Sequence, residues 1–523
     1  MKTVRKIYFR IATVTTLCLV SYSTALGQET SQFTSEIKLS YSFFDQEGKR
    51  STVEDVYNLY SGFALSQLGF GAAFNNGSFL NFNSANANLG NRNISLDFRR
   101  NNWLSFKVGH QESRFFFGEN QENSERKTSS AIFWVSPLKA LKLYADYSYQ
   151  KKEGDRIAII EDTPGVLGTR YDQFLQRGQV GVQLNSKRNF VSYSYRILDF
   201  DSRIDEAFDR RSNRHQVVVS SSMPKDFYLS FQYLKDDAEL KQSNLNLDTD
   251  LFTFAALYRA FRGFSLSGKF SYQSTDNEAT ALTSKVLKNS YNVVYDFNKR
   301  IGIEAGYEYE RRKDEDGQNN LNSFLIGAKT LPRDNLRFKA SYLKKERKDK
   351  DLSTLAGPYD SDNFLFNLNY KPVQKLTLDL KYQDRQRDNE EILTSTDSKG
   401  FTSFGSFVYN DRVGADATFS ALNIEYQDTF GHFFNNTRNL LLSGWVKPVA
   451  KLTLSGGFTY LRVKGDQDLS KEDVMVGAEY VLWKDFSAEF RYSQYNLDDY
   501  LLAPDYYTLN VFTISLSQKL SKL

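Results

Sequence analysis

One cysteine, eight prolines and three methionines in 523 residues leave little room for several common architectures. The cysteine, Cys18, stands in an N-terminal segment built for export. A basic start (Lys2, Arg5, Lys6, Arg10) runs into an apolar stretch from Ile11 to Val20, then into small and polar residues ending Ala25-Leu26-Gly27. Small residues on either side of Leu26 place a cleavage point before Gln28. The apolar stretch is about half the ~20 residues that a membrane helix needs. Leu17 stands ahead of Cys18, where a lipid-modified cysteine requires a small residue. Residues 1–27 are therefore expected to be a cleaved leader, and 28–523 a single domain. That domain holds no cysteine, which excludes disulfides and thiolate metal sites. The leader takes four of the 67 basic residues and none of the 63 acidic ones, so the domain is electrically neutral. Neutrality leaves no footprint for nucleic acid.

A long apolar run is also missing after the leader, and mean hydropathy is negative. Yet 15% of the chain is aromatic, with 42 Phe and 32 Tyr. Strands with one lipid-facing and one water-facing side reconcile these two facts. The alternation is explicit. Ile301, Ile303, Ala305, Tyr307 and Tyr309 interleave with Gly302, Glu304, Gly306, Glu308 and Glu310. Leu336, Phe338, Ala340 and Tyr342 interleave with Arg337, Lys339 and Ser341, and Leu376, Leu378, Leu380 and Tyr382 with Thr377, Asp379, Lys381 and Gln383. A helix would scatter these charges around its surface; a strand puts them on one side.

The strands come as hairpins. Short turns such as Asn298-Lys299-Arg300, Pro332-Arg333-Asp334-Asn335 and Pro372-Val373-Gln374-Lys375 recur, each followed by an alternating strand that ends in Tyr. Corresponding positions Leu229, Leu266, Ile303, Phe338 and Leu378 are 35 to 40 residues apart. A propeller blade would need four short strands in that length. Here there are two strands of roughly ten residues, the length that crosses an outer membrane. Charged segments such as Arg311 to Asp316 and Lys344 to Asp351 read as the longer external loops. Tyr147, Tyr233, Tyr272, Tyr307, Tyr342, Tyr382, Tyr460 and Tyr492 all fall at the loop end, as an interfacial aromatic girdle would. The stretch from Asn75 to Asn102 is the least regular and reads as short strands. The expected fold is all-β: a large transmembrane antiparallel up-and-down β-barrel in the outer membrane of a Gram-negative-type bacterium. It should have about 26 strands, within 24–28. Side chains cannot fill so wide a lumen, and Gln28 to Ser35 is too short to plug it.

Nothing resembles a catalytic constellation. The three histidines, His110, His215 and His432, are far apart and lack ligand-spaced neighbours. There is no Cys-x-x-Cys-His, nucleophile elbow or phosphate loop. The acidic run Asp314-Glu315-Asp316-Gly317 lacks EF-hand spacing. No catalytic, metal or cofactor-binding residue is expected, and the chain is not expected to be an enzyme. The charges assigned to the lumen are Glu304, Glu308, Glu310, Arg337, Lys339, Asp379 and Lys381. They would set ion preference, pair with an inserted partner or bridge one another across strands.

Two stretches carry a family resemblance. One leads from Val56-Tyr57-Asn58-Leu59-Tyr60-Ser61-Gly62 through Ile94-Ser95-Leu96-Asp97-Phe98 to Trp103–Glu112. The other is the hairpin type Lys371-Pro372-Val373-Gln374-Lys375-Leu376-Thr377-Leu378, repeated at Lys447-Pro448-Val449-Ala450-Lys451-Leu452-Thr453-Leu454. In these the chain resembles the MtrB/PioB type of outer-membrane barrel. The resemblance implies a sheath around a multihaem c-type cytochrome for transmembrane electron transfer, with haem held only by that partner and outer-membrane lipid outside. The alternative expectation is a water-filled porin for small solutes.

Overall fold

In the computed structural model the described residues are 30–48, 62–89, 91–117, 122–155, 170–203, 209–224, 226–241, 245–261, 263–277, 282–314, 317–347, 360–389, 394–428, 431–466, 468–499 and 505–522. The leader and Cys18 lie outside them, as do Glu315 and Asp316 of the acidic run. The described residues form twenty-six antiparallel strands and no helix. They run from β1 (Thr30–Gly48) to β26 (Asp505–Lys522), numbered in chain order. Each strand pairs with its sequence neighbours, and β1 closes on β26 from Phe33↔Lys522 to Gly48↔Tyr507. The sheet is a closed up-and-down barrel without an edge. Of the segment read as too short for a plug, Thr30 to Ser35 belong to β1 and so to the wall, while Gln28 and Glu29 lie outside the described residues. The irregular stretch becomes β3 (Ser78–Ala85) and β4 (Asn93–Arg100), each eight residues.

Alternation sorts the side chains into two rows. In β15 (Ile301–Lys313), Ile301, Ile303 and Tyr307 stand exposed, Ile303 at 46%, while Glu310, on the alternate row, is 8% exposed. The apolar row keeps its side through the pairing, as in Ala305↔Ile326 and Tyr307↔Phe324. The tyrosines expected to form a girdle all fall on it.

Proline placement shows how the turns are built. The pairing of successive strands skips two residues before the turn at Val135/Leu138, Thr330/Arg333, Tyr370/Val373 and Val446/Val449. Pro137, Pro332, Pro372 and Pro448 each occupy a skipped position, where a missing N–H costs no ladder bond. The other skipped residue bonds sideways: Leu331 N–H donates to Arg300 O, and Lys371 N–H to Asn335 O.

One expectation needs correction. Most strands exceed ten residues, reaching 19 in β1. Arg311–Lys313, read as loop, belongs to β15, and Lys344–Arg347 belongs to β17 (Leu336–Arg347). Hydrocarbon sets the length of only ~9–11 residues per strand. Above it, backbone pairing continues whatever the side-chain polarity, so charge does not mark where a strand stops.

Candidate functional site: the polar wall

The candidate site is the polar row itself. All seven charges expected there lie on it, on β15, β17 and β19 (Leu376–Asn389). Two further strands sit between them, β16 (Gln318–Arg333) and β18 (Asp360–Val373).

The glutamates are paired. Glu308 takes Lys288 at 2.8 Å and a hydrogen bond from Ser290 at 3.0 Å. Glu310 lies 3.7 Å from Lys288 and 2.6 Å from Arg312. Glu304 reaches Lys339 at 3.9 Å, over the intervening Gly327 of β16. Next to this, Lys329 bonds Asp296 at 2.7 Å directly over Gly302. A Cβ there would lie 2.1 Å from the carboxylate oxygen, so glycine is what leaves the pair its place.

The other group is less balanced. Arg337, Lys339, Asp379 and Lys381 meet around a hollow of about 180 Å³, with Asn367, Asn369 and Phe404 completing its floor. Asn369 donates its amide to Asp379. Arg337 and Lys381 have no ion-pair partner among the described residues. Phe404, on β20 (Thr394–Asn410), is 37% exposed and pairs with Asp379. It is an aromatic on the polar row, which strict alternation by residue type would not place there. Lys288 and Lys329 were also missed, because their strands alternate less cleanly.

The histidines lie on three different strands and face local partners. His110 contacts Ser129 and Glu112 at 2.8 and 3.0 Å, His215 contacts the Tyr193 hydroxyl at 2.9 Å, and His432 contacts Glu425 at 2.7 Å. Among the described residues no group of three or more metal-ligating side chains converges. At the loop rim, past the end of β11 (Phe227–Leu240), Lys241 bridges Asp201 at 2.5 Å and Asp199 at 2.9 Å. The Asp201 hydrogen bond, then Asp199, hold its ammonium pKa above the ordinary lysine value.

No protein-family model matches the sequence, and no curated protein does. Solved structures match by shape. A mutant of the ferric enterobactin receptor PfeA from Pseudomonas aeruginosa superposes with a TM-score of 0.57 at 10% identity, covering 93% of this chain and 80% of that one. A second mutant of the same receptor gives 0.51 at 9% identity, covering 94% and 81%. The chain is an outer-membrane β-barrel. The barrels it superposes on belong to receptors, not enzymes. They overturn the MtrB/PioB resemblance, together with its multihaem cytochrome partner and the open-porin alternative. The physical reason is that hairpins such as Lys371–Leu378 answer to any large barrel's needs: a proline in the skipped position, then alternation. They carry no information about what the lumen holds.

Proposed function

We propose that this chain is the barrel of an outer-membrane receptor that takes up a ferric siderophore, exported by the leader 1–27 and folded over 28–523. The observation that carries the reading is the closed 26-stranded wall, together with its superposition on the ferric enterobactin receptor barrel along nearly the whole chain. The polar row is the lumen side in this reading. A closed wall is concave inside, which crowds side chains there, and the polar row is the more enclosed of the two. The exposed apolar row then meets lipid. A wall this wide leaves room for a ligand of siderophore size with polar groups around it.

The test is binding by the purified chain in detergent, followed by quenching of its tryptophan fluorescence with ferric enterobactin and a panel of other ferric siderophores. Saturable quenching by at least one ferric complex, weaker for its iron-free form, is expected. If no ferric siderophore quenches the folded protein saturably, the reading falls.

A further inference from the structure

At the loop end the apolar row turns charged, and three strands make that change alike. On β7 (Leu141–Asp155), β11 and β17 a tyrosine is followed on the same row by a lysine and then by an acid. The sets are Tyr149, Lys151 and Glu153; Tyr233, Lys235 and Asp237; and Tyr342, Lys344 and Glu346. Each lysine is held by the acid that follows it: Lys235 by Asp237 at 3.3 Å, Lys344 by Glu346 at 2.5 Å, and Lys151 by Glu153. On β20 the order is reversed, with Lys399 held by Asp397 at 2.9 Å. On these strands the outer face is charged but neutral pair by pair.

β15 breaks the pattern. Its frame is the same, but Tyr309 is followed by Arg311 and then by Lys313, a base where the others have an acid. The neighbouring strand adds a third cation. Lys285 of β14 (Leu282–Asp296) stands directly opposite Lys313, and Leu287 opposite Arg311. Like charges in such a pair, with Cβ atoms about 5 Å apart, repel. Arg311 follows about 7 Å down the strand. All three cations are exposed, and none has an ion-pair partner among the described residues. Arg311 donates only to the neutral side chain of Gln318, at 2.5 Å. The acids nearby do not answer this charge. Glu310 lies on the polar row with Arg312, and Asp314 accepts the Gly317 N–H at 3.0 Å. Asp276 of β13 (Phe264–Asn277) stands opposite Thr283, one step nearer the loop than Lys285. Glu315 and Asp316 lie outside the described residues. β23 (Leu452–Gly465) repeats the bases as Arg462 and Lys464, but there Asp468 engages Arg462 at 2.5 Å.

Position says what meets the three bases. Ile301 to Tyr309 fills the ~9–11 residues that hydrocarbon sets, with tyrosine at the interface. Arg311 is then the first residue of the apolar row at the level of the lipid headgroups. Arginine grips phosphate oxygens in pairs, and lysine adds point charge. Each cation close to an anionic lipid surface adds to the attraction.

We propose that Lys285, Arg311 and Lys313 form a phosphate site on the outer face of the barrel, occupied by an anionic lipid of the outer leaflet. The site rests on the apolar row facing lipid, which the uptake reading shares, and on nothing about the cargo.

The whole chain, purified in nonionic detergent, is mixed with diphosphoryl lipid A at low salt, and native mass spectrometry counts the lipids bound at each concentration. Saturable binding of lipid A is expected. Arg311→Gln/Lys313→Gln should weaken it by about tenfold or more. Lys313→Glu, which restores the acid of the other strands, should weaken it as much, and Lys285→Gln should weaken it less. Lys235→Gln, where the lysine is already paired, should leave it unchanged. Heat-modifiable gel mobility establishes that each variant is folded. Equal binding by all variants, equal loss in Lys235→Gln, or no lipid A on the unaltered chain overturns the site. Equal binding of dephosphorylated lipid A overturns it too, because acyl chains alone would then suffice. Inorganic phosphate that displaces the lipid at matched concentration would make this a site for soluble anions and overturn the lipid assignment. Quenching by a ferric siderophore should be the same in the unaltered chain and in Arg311→Gln/Lys313→Gln. Its absence from both, with lipid A still bound through Arg311 and Lys313, would sink the uptake reading and leave this site standing.

Discussion

At the scale of single residues, the wall is fitted around its glycines. Tyr144 on β7 (Leu141–Asp155) pairs with Gly181 on β8 (Arg170–Asn185), and its ring lies across the glycine. A Cβ there would stand 2.4 Å from the ring. Trp445 covers Gly414 in the same way. A glycine in a strand is weak because it has no side chain to pack; the cross-strand ring supplies the missing contact. Gly181→Ala should displace Tyr144 and its hydrogen bond from Gln179, and cost roughly 1–3 kcal/mol through overpacking. Gly178, three residues away on the other row of the same strand, has nothing within 4 Å, and Gly178→Ala should be neutral or slightly stabilising. Denaturant unfolding followed by tryptophan fluorescence checks both, and equal midpoints for the two variants would remove the fitted-ring account. Residue-level detail of this kind was only half legible. The sequence marks Tyr144 as an aromatic on the polar row, but not that a glycine faces it.

For the individual strand, alternation is the informative signal. The two rows, the row of tyrosines and the turn prolines are all legible in the sequence, because hydrocarbon and missing N–H groups impose strict rules. Beyond the girdle those rules lapse, which is why Lys345, Arg347, Arg385 and Arg387 escaped notice as wall residues while Arg337, Lys339 and Lys381 did not. The rule also makes a sharp test. Leu266, on β13 (Phe264–Asn277), is 42% exposed on the apolar row, and Ser267 follows it on the polar row. Leu266→Lys should cost about 2–4 kcal/mol if it lies near the bilayer midplane, whereas Ser267→Lys should be tolerated beside the existing Lys269. Folding yield into lipid vesicles, read as the heat-modifiable fraction, decides it. Comparable yields for the two would mean that the rows are assigned to the wrong sides.

For the molecule as a whole, closure is the feature that no local pattern announces. β1 and β26 meet from opposite ends of the chain, and the seam is knit on the polar row. Ser40 and Ser515 Oγ atoms lie 2.8 Å apart, Ser66 donates to Ser40 at 2.7 Å, and Lys38 bonds Glu489 at 2.5 Å. Removing 505–522 should leave β1 and β25 (Phe486–Asp499) with open edges that aggregate. Loss of the heat-modifiable band and of a monodisperse peak in detergent is the expected outcome; a folded monomer would show that the seam is dispensable. What the lumen holds was not legible either, because a closed wall suits many lumens.

The strand extensions above the girdle have one more effect. From Tyr309 to Lys313 the wall climbs four residues, about 13 Å of strand and some 10 Å of height at the tilt of such barrels. The wall therefore continues as hydrogen-bonded strand above the girdle, so the barrel rim is set by backbone pairing and stands proud of the lipid.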